Sequence, residues 1–294
     1  MEKKTIRQRF SGLVCRGIIA GLLVCMASVC PANQDPASQY HCVTRFENGT
    51  INWSTGKITA MGMASPEDNR ETSHESVPGS ARADANRQII EILKQIKINA
   101  GLSVDAYASK NDVILAGIEK TAGDARISKQ YYTSALAVEI ILETSMLGGF
   151  LQLVLPEKIR QIPKINPEIH PKNDAVKTDT PPYTGLIVDA RGLGVEPVLN
   201  PVIVSEQGHD IYSFVFISRE FAVQNGVCKY LCNMDQALTD KRVGNHPLVL
   251  TGLRKDGKAN SAIAISMSEY RILEKTTERH AFLKECRVII VTDQ

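Results

Sequence analysis

The 294-residue sequence predicts an α+β protein in which two small mixed helix and sheet domains follow a signal peptide. Three observations support this class: the chain starts basic and then apolar, both later halves mix helical and strand periodicity, and prolines concentrate between them. The 43% share of hydrophobic residues and the formal net charge of +2 are typical of globular proteins. This balanced charge predicts no nucleic-acid partner, because phosphate binding needs a surplus of Lys and Arg on one face.

Residues 1–32 have the pattern of a secretory signal peptide. Basic residues precede an apolar run at residues 17–26, and small residues follow up to Ala32. The run is about half as long as the roughly 20 residues that span a bilayer, which favours a cleaved signal over a membrane helix. We therefore expect an exported protein in the periplasm or at the outer membrane. Cys25 and Cys30 each follow a valine, so lipid attachment and membrane anchoring have little support.

Four cysteines remain after such a cleavage, and their even number predicts disulfides in an oxidising compartment: Cys42, Cys228, Cys232 and Cys286. Four cysteines allow three pairings, and their spacing does not choose among them. A bridge between Cys42 and Cys286 would tie the two halves together, since these residues lie near the ends of the exported chain. Free thiols are one alternative to a disulfide. Another is a zinc site formed by Cys228, Cys232 and His246, although structural zinc sites usually have four ligands.

The first domain is assigned to residues 33–155. Turn residues interrupt alternating polar and apolar residues between positions 45 and 63, which predicts a pair of strands. Small and aliphatic residues recur every three or four positions over 81–96, which predicts a helix, and a second helix is predicted at 111–122. From residue 125 to residue 143 the period becomes two. A sheet with one face covered by helices follows from these patterns.

Residues 156–182 hold six of the thirteen prolines, which predicts an interdomain linker. The second domain is assigned to residues 183–294. Its predicted elements are an apolar strand within 184–191, strands at 202–205 and 211–217, strands at 248–253 and 262–265, a helix at 267–275 and a closing strand at 287–293. The closing strand is apolar on both faces, so we expect it in the middle of a sheet.

Asp189 and Arg191 are the best-placed polar residues for a binding site, because they follow an apolar strand and begin a glycine-rich turn that ends at Gly194. The ordinary alternative is an ion pair or a turn cap at the strand end. Residues 252–259 resemble a phosphate-binding loop, but Ala259 stands where a hydroxyl would ligate magnesium, so a hairpin turn is favoured. The sequence contains no Gly-x-Ser-x-Gly nucleophile elbow and no His-Glu-x-x-His motif of zinc proteases. It predicts no catalytic residue, metal site or cofactor.

Two segments carry a family resemblance: Asn-Gly-Thr-Ile-Asn-Trp-Ser-Thr-Gly-Lys-Ile-Thr-Ala-Met-Gly at 48–62, and the alanine-rich helix from Ala81 to Leu93. They resemble the start of the bacterial LPP-twenty lipoprotein family and the related N-terminal domain of the flagellar assembly protein FlgT. Residues 183–194 and 200–208 look like the segment that follows in longer exported members. The resemblance implies a mixed helix and sheet domain in the periplasm or at the outer membrane, with an assembly or envelope role and no catalytic residues.

We therefore expect a non-enzymatic, exported cell-envelope protein with a structural, assembly or protein-binding role. Its expected partners are envelope or flagellar proteins, or further copies of the same chain. The alternative from a different class is a periplasmic ligand-binding module or enzyme that uses the turn from Asp189 to Gly194.

Overall fold

Two large sheets, one in each half of the chain, organise the computed structural model, which describes residues 41–66, 77–155, 181–256, 262–276 and 279–293. The predicted signal peptide and nearly all of the predicted linker lie outside these residues. Helices and mixed sheets together confirm the α+β class. Within the described residues, no helix is both long enough and apolar enough to cross a membrane.

The first sheet is antiparallel and contains five strands. Along the chain these are β1 (Val43–Phe46), β2 (Gly49–Asn52), β3 (Lys57–Ala64), β6 (Arg126–Tyr132) and β7 (Val138–Ser145), and the spatial order is β1-β2-β3-β7-β6. The turn residues near positions 48 and 55 therefore separate three strands, one more than the predicted pair. In β7 the apolar residues alternate with Glu139 and Glu143 as predicted, and Val138, Ile140 and Leu142 are buried.

Helices cover one face of this sheet. They are α1 (Val77–Gln95), α2 (Val104–Ala108), α3 (Asp112–Gly123) and α4 (Gly149–Val154), with a small hairpin of β4 (Lys97–Asn99) and β5 (Leu102–Ser103) after α1. The predicted helical spacing is confirmed, because Ala81, Ala85 and Ile89 are all fully buried. α1 lies so close to β3 that a β-carbon at Gly62 would collide with the backbone of Ala81 and Ala85.

The second sheet has seven strands of mixed direction. They are β8 (Gly185–Asp189), β9 (Val202–Ser205), β10 (Asp210–Tyr212), β11 (Lys229–Leu231), β12 (Pro247–Asp256), β13 (Ala262–Ile265) and β14 (Val288–Val291), in the order β10-β9-β13-β12-β8-β14-β11. The helices of this half are α5 (Arg219–Asn225), α6 (Met234–Thr239), α7 (Met267–Lys275) and α8 (Arg279–Lys284). As predicted, β14 is buried on both faces and lies inside the sheet, parallel to β8 and β11.

Two details of the second half test the sequence predictions. The strand predicted at 211–217 is wrong, because β10 ends at Tyr212 and residues Phe214–Phe216 form a 3-10 turn. The hairpin predicted in place of a phosphate loop is confirmed, since β12 and β13 are antiparallel and Asp256 pairs with Ala262. The intervening residues 257–261 lie outside the described part of the chain.

The two halves pack against each other along a boundary that we call the seam. Contacts group Ala37–Gln294 into one compact unit, and one continuous hydrophobic core contains buried residues from both halves. Backbone hydrogen bonds cross the seam, for example from the Leu199 amide to the Lys97 carbonyl at 3.0 Å and from the Gly148 amide to the Val223 carbonyl at 2.8 Å. The two halves are therefore packed into one structural unit with a common hydrophobic core.

We predict that Gly62→Ala lowers the free energy of unfolding by about 1–3 kcal/mol, because the added methyl group pushes α1 away from β3. Urea unfolding followed by circular dichroism measures this loss. Gly79→Ala is the matched control, since a β-carbon at this position in α1 meets no atom within 4 Å. The control should unfold at the same or a slightly higher urea concentration, and equal losses in both variants would contradict the close approach at Gly62.

Candidate functional site

A disulfide bond joins the two halves at the seam. Cys42, just before β1, is bonded to Cys232, just after β11, across a sequence separation of 190 residues and a Cα distance of 5.5 Å. The predicted disulfide is therefore present, but the pairing of Cys42 with Cys286 is wrong. Cys286 lies in the turn before β14 and is buried as a free thiol, and Cys228 is also free and half-buried.

The Cys-x-x-x-Cys spacing of Cys228 and Cys232 has a simple structural explanation. The three intervening residues form β11 rather than a helix, so the two cysteines stand at opposite ends of a strand. A strand rises about 3.3 Å per residue, which separates their Cα atoms by roughly 13 Å. This distance rules out both a mutual disulfide and a shared tetrahedral zinc ion.

A buried hydroxyl connects the strands beside the disulfide. The Oγ atom of Ser54 accepts a hydrogen bond from the Cys42 amide at 3.0 Å and donates one to the Tyr230 carbonyl at 2.8 Å. Trp53 packs at the seam with its ring edge against Tyr230, and the ring centroids are 5.9 Å apart. The turn between β2 and β3 is thereby attached to β11.

Next to this contact the seam opens into a cavity of about 570 Å³, which we call the seam cleft. Its walls come from the turn Trp53–Gly56, from Leu147 and Leu151 around α4, from Phe221 and Gln224 on α5, and from the segments Val227–Tyr230, Asp240–Arg242 and Glu285–Arg287. Both halves supply apolar and polar groups. The volume lies within the range of about 300–1,000 Å³ that is usual for small-molecule sites.

Arg242 holds the cleft walls of the second half together. Its guanidinium group donates hydrogen bonds to the carbonyls of Cys286 at 2.7 Å, Asn225 at 2.7 Å and Gly226 at 2.6 Å. These carbonyls belong to two separate chain segments, the end of α5 and the turn before β14. Arg242 is consequently a structural cation that uses three of its five N–H donors on backbone oxygens.

Other charges of the cleft are paired. The Nζ atom of Lys229 forms an ion pair with the Asp240 carboxylate, and the Nε atom of Arg287 lies 2.8 Å from the Glu285 carboxylate. Lys241 differs, because it is exposed and makes no hydrogen bond or ion pair with any residue in the described ranges. It also lines a second cavity of about 350 Å³ that continues towards His41.

The free thiols of Cys228 and Cys286 belong to the cleft wall and are unreactive at neutral pH. Burial raises the pKa of the Cys228 thiol from 9.0 to about 12 and that of the Cys286 thiol from 9.0 to about 11. Burial also raises the pKa of the Tyr212 and Tyr230 hydroxyls, which donate hydrogen bonds to the carbonyls of Val227 and Val198. Because the thiolate is the reactive form of cysteine, both thiols are poor nucleophiles at neutral pH.

The sequence-predicted turn from Asp189 to Gly194 lies at the carboxyl end of β8, away from the seam cleft. The Nε and Nη2 atoms of Arg191 donate to the two Asp189 oxygens at 2.8 Å and 2.6 Å, and this pairing lowers the pKa of the Asp189 carboxyl. The amides of Gly192 and Gly194, both with positive φ, donate to the Asp293 carboxylate at 2.9 Å and 3.3 Å. These polar groups are thus engaged with one another, as the ordinary alternative expected.

The comparison with known families concerns the second half. Residues 185–294 match the family model described as "Treponema pallidum Tp0624, second domain". The matched segment begins with β8 and contains every strand of the seven-stranded sheet. No curated protein matches the chain. Among the described residues, no group of three or more His, Cys, Asp or Glu side chains is arranged to hold a metal ion.

We predict that replacing the disulfide with Cys42→Ser and Cys232→Ser lowers the free energy of unfolding by about 2–5 kcal/mol, because the long loop between them becomes unconstrained in the unfolded chain. Urea unfolding with and without dithiothreitol measures the effect. The wild type should lose this stability in reductant, whereas the double variant should not respond. Cys228→Ser is the matched control and should keep the full response, and a reductant-insensitive wild type would contradict the bond.

We also predict that stability decreases in alkaline solution because of the buried thiols. Their folded-state pKa values lie above the ordinary value of 9.0, so the unfolded chain ionises first and gains stability as the pH rises from about 9 to about 12. The contribution is fully present below pH 9. Urea midpoints at about pH 8 and about pH 10 should therefore differ more in the wild type than in the Cys228→Ser, Cys286→Ser variant. An equal difference in both proteins would show that burial leaves the thiol pKa values unchanged.

Proposed function

We propose that this protein is a non-enzymatic, exported protein of the bacterial cell envelope with a structural, assembly or protein-binding role. The observation that carries the proposal is the Cys42–Cys232 disulfide across the seam. Structural disulfides persist in oxidising compartments such as the periplasm and are rare in the cytosol. The bond therefore agrees with the signal-like pattern of residues 1–32.

The outer face of the first sheet supports a protein-binding role. It faces away from α1, and on it Met61 of β3 lies opposite Ile141 of β7, while Met63 of β3 and Tyr131 of β6 lie on either side of Glu139. Met63 is 61% exposed, and Tyr131 is 47% exposed. Clustered exposed apolar side chains of this kind mark surfaces at which proteins bind one another.

The chemistry of the described side chains also favours binding over catalysis. The Asp189 carboxylate is paired with Arg191, and burial suppresses ionisation of the thiols of Cys228 and Cys286. Catalytic groups usually show the opposite arrangement, with a reactive group activated by its surroundings and aimed into a cleft. The LPP-twenty and FlgT-like resemblance makes flagellar components the first partners to consider.

The experiment that tests export expresses the full chain with a C-terminal tag in a bacterium with two membranes. We expect the purified protein to have lost residues 1–32, to come from the periplasmic or outer-membrane fraction, and to contain one cystine by mass spectrometry before and after reduction. A full-length, reduced product in the cytosolic fraction would overturn the proposal.

The binding role is tested in the same cells with a photo-crosslinking amino acid at Met63. The expected result is one defined protein adduct, which mass spectrometry identifies as an envelope protein, a flagellar protein or a second copy of the chain. Ile272 on α7 is the matched control position, because it is also an exposed apolar residue but lies on the second half. Identical adducts from both positions, or none from either, would contradict binding through the outer face.

A further inference from the structure

The seam cleft is large enough for a ligand and has two chemically distinct parts. One part is apolar: Trp53, Leu147 and Leu151 come from the first half, and Phe221 comes from α5 of the second. Phe221 is 36% exposed, although phenylalanine is among the residue types most often fully buried. An apolar ligand bound in this part of the cleft would cover these side chains and remove them from water.

The other part is basic. Lys229 and Arg287 are paired with Asp240 and Glu285, whereas the guanidinium group of Arg242 donates hydrogen bonds to carbonyl oxygens and forms no ion pair with a described carboxylate. Lys241, the next residue, has no partner among the described residues and lies at the junction of the two cavities. The cleft is lined by four cations, Lys229, Lys241, Arg242 and Arg287, and by two carboxylates, Asp240 and Glu285. This excess of positive charge favours an anionic group.

We propose that the seam cleft binds a small amphipathic anion, that is, a molecule with an aromatic or aliphatic body and one carboxylate, sulfonate or phosphate group. The apolar body lies between Leu147, Leu151 and Phe221, and the anionic group faces Lys241. Since both halves form the walls, the ligand contacts both at once and adds to their association. This site is separate from the protein-binding outer face, so it stands or falls independently of the proposed function.

The geometry also gives the order of importance of the two contacts. Burial of an aromatic body supplies most of the affinity, because hydrophobic stabilisation grows with the apolar area removed from water. The ammonium group of Lys241 is exposed, and exposed ion pairs contribute little in free energy. Lys241 is therefore expected to act mainly in selecting a charged ligand over a neutral ligand of the same shape.

Two fluorescent probes of the same shape test the proposal: 8-anilinonaphthalene-1-sulfonate, which carries one sulfonate, and N-phenyl-1-naphthylamine, which lacks it. The purified, disulfide-bonded protein should bind the sulfonate about threefold to fivefold more tightly than the neutral probe in fluorescence titrations at low salt. Lys241→Gln should abolish this preference while leaving the melting temperature unchanged. Lys110→Gln is the matched control, because Lys110 is equally exposed but lies after α2 and does not line the cleft.

A second variant tests the apolar part. Gln224→Trp places a bulky side chain at an exposed position of the cleft wall, where it should fill the cavity without disturbing the core and should weaken both probes at least threefold. The proposal is overturned if neither probe binds, if Lys241→Gln and Lys110→Gln change the preference equally, or if Gln224→Trp leaves both affinities unchanged.

Discussion

The structure depends on the seam, where the chain before β1 is fastened to the end of β11. The covalent bond between Cys42 and Cys232 fixes one point, and the Ser54 hydroxyl fixes a second by joining the Cys42 amide to the Tyr230 carbonyl. A buried hydroxyl that satisfies two backbone groups is costly to remove, because each group would be left unpaired in a low-dielectric interior. The arrangement makes one hydrophobic core out of two sheets that are far apart in sequence.

The same constraint explains why a cleft exists. Two rigid sheets with short connecting helices are joined at the disulfide end and by backbone hydrogen bonds near Leu199 and Gly148, so their side chains cannot collapse freely into the remaining space. Arg242 holds the wall of the second half together through three hydrogen bonds to separate carbonyls. Arg242 therefore stabilises the cleft wall and also contributes positive charge to the cleft. The stability of the fold and the proposed ligand binding thus depend on the same residues at the seam.

The candidate site shows where sequence reasoning reaches its limit. Asp189 and Arg191 were identifiable because they lie at the end of an apolar strand. Only the tertiary structure shows that they pair with each other and that Asp293 accepts hydrogen bonds from the Gly192 and Gly194 amides. Nothing in the sequence indicates that Lys241 belongs to a binding site, because a lysine between Asp240 and Arg242 is typical of any exposed polar turn. The other residues that line the cleft come from several distant segments of both halves, and no local sequence pattern indicates that assembly.

Local patterns determined most of the secondary structure of this protein. The spacing of Ala81, Ala85 and Ile89 and the apolar run at β14 were sufficient, because period and burial follow from side chains close together in sequence. The even cysteine count predicted a disulfide but not its partners. The choice of Cys232 over Cys286 was made by tertiary structure alone, because a disulfide requires two Cα atoms within about 7 Å of each other, and that distance depends on how the whole chain folds.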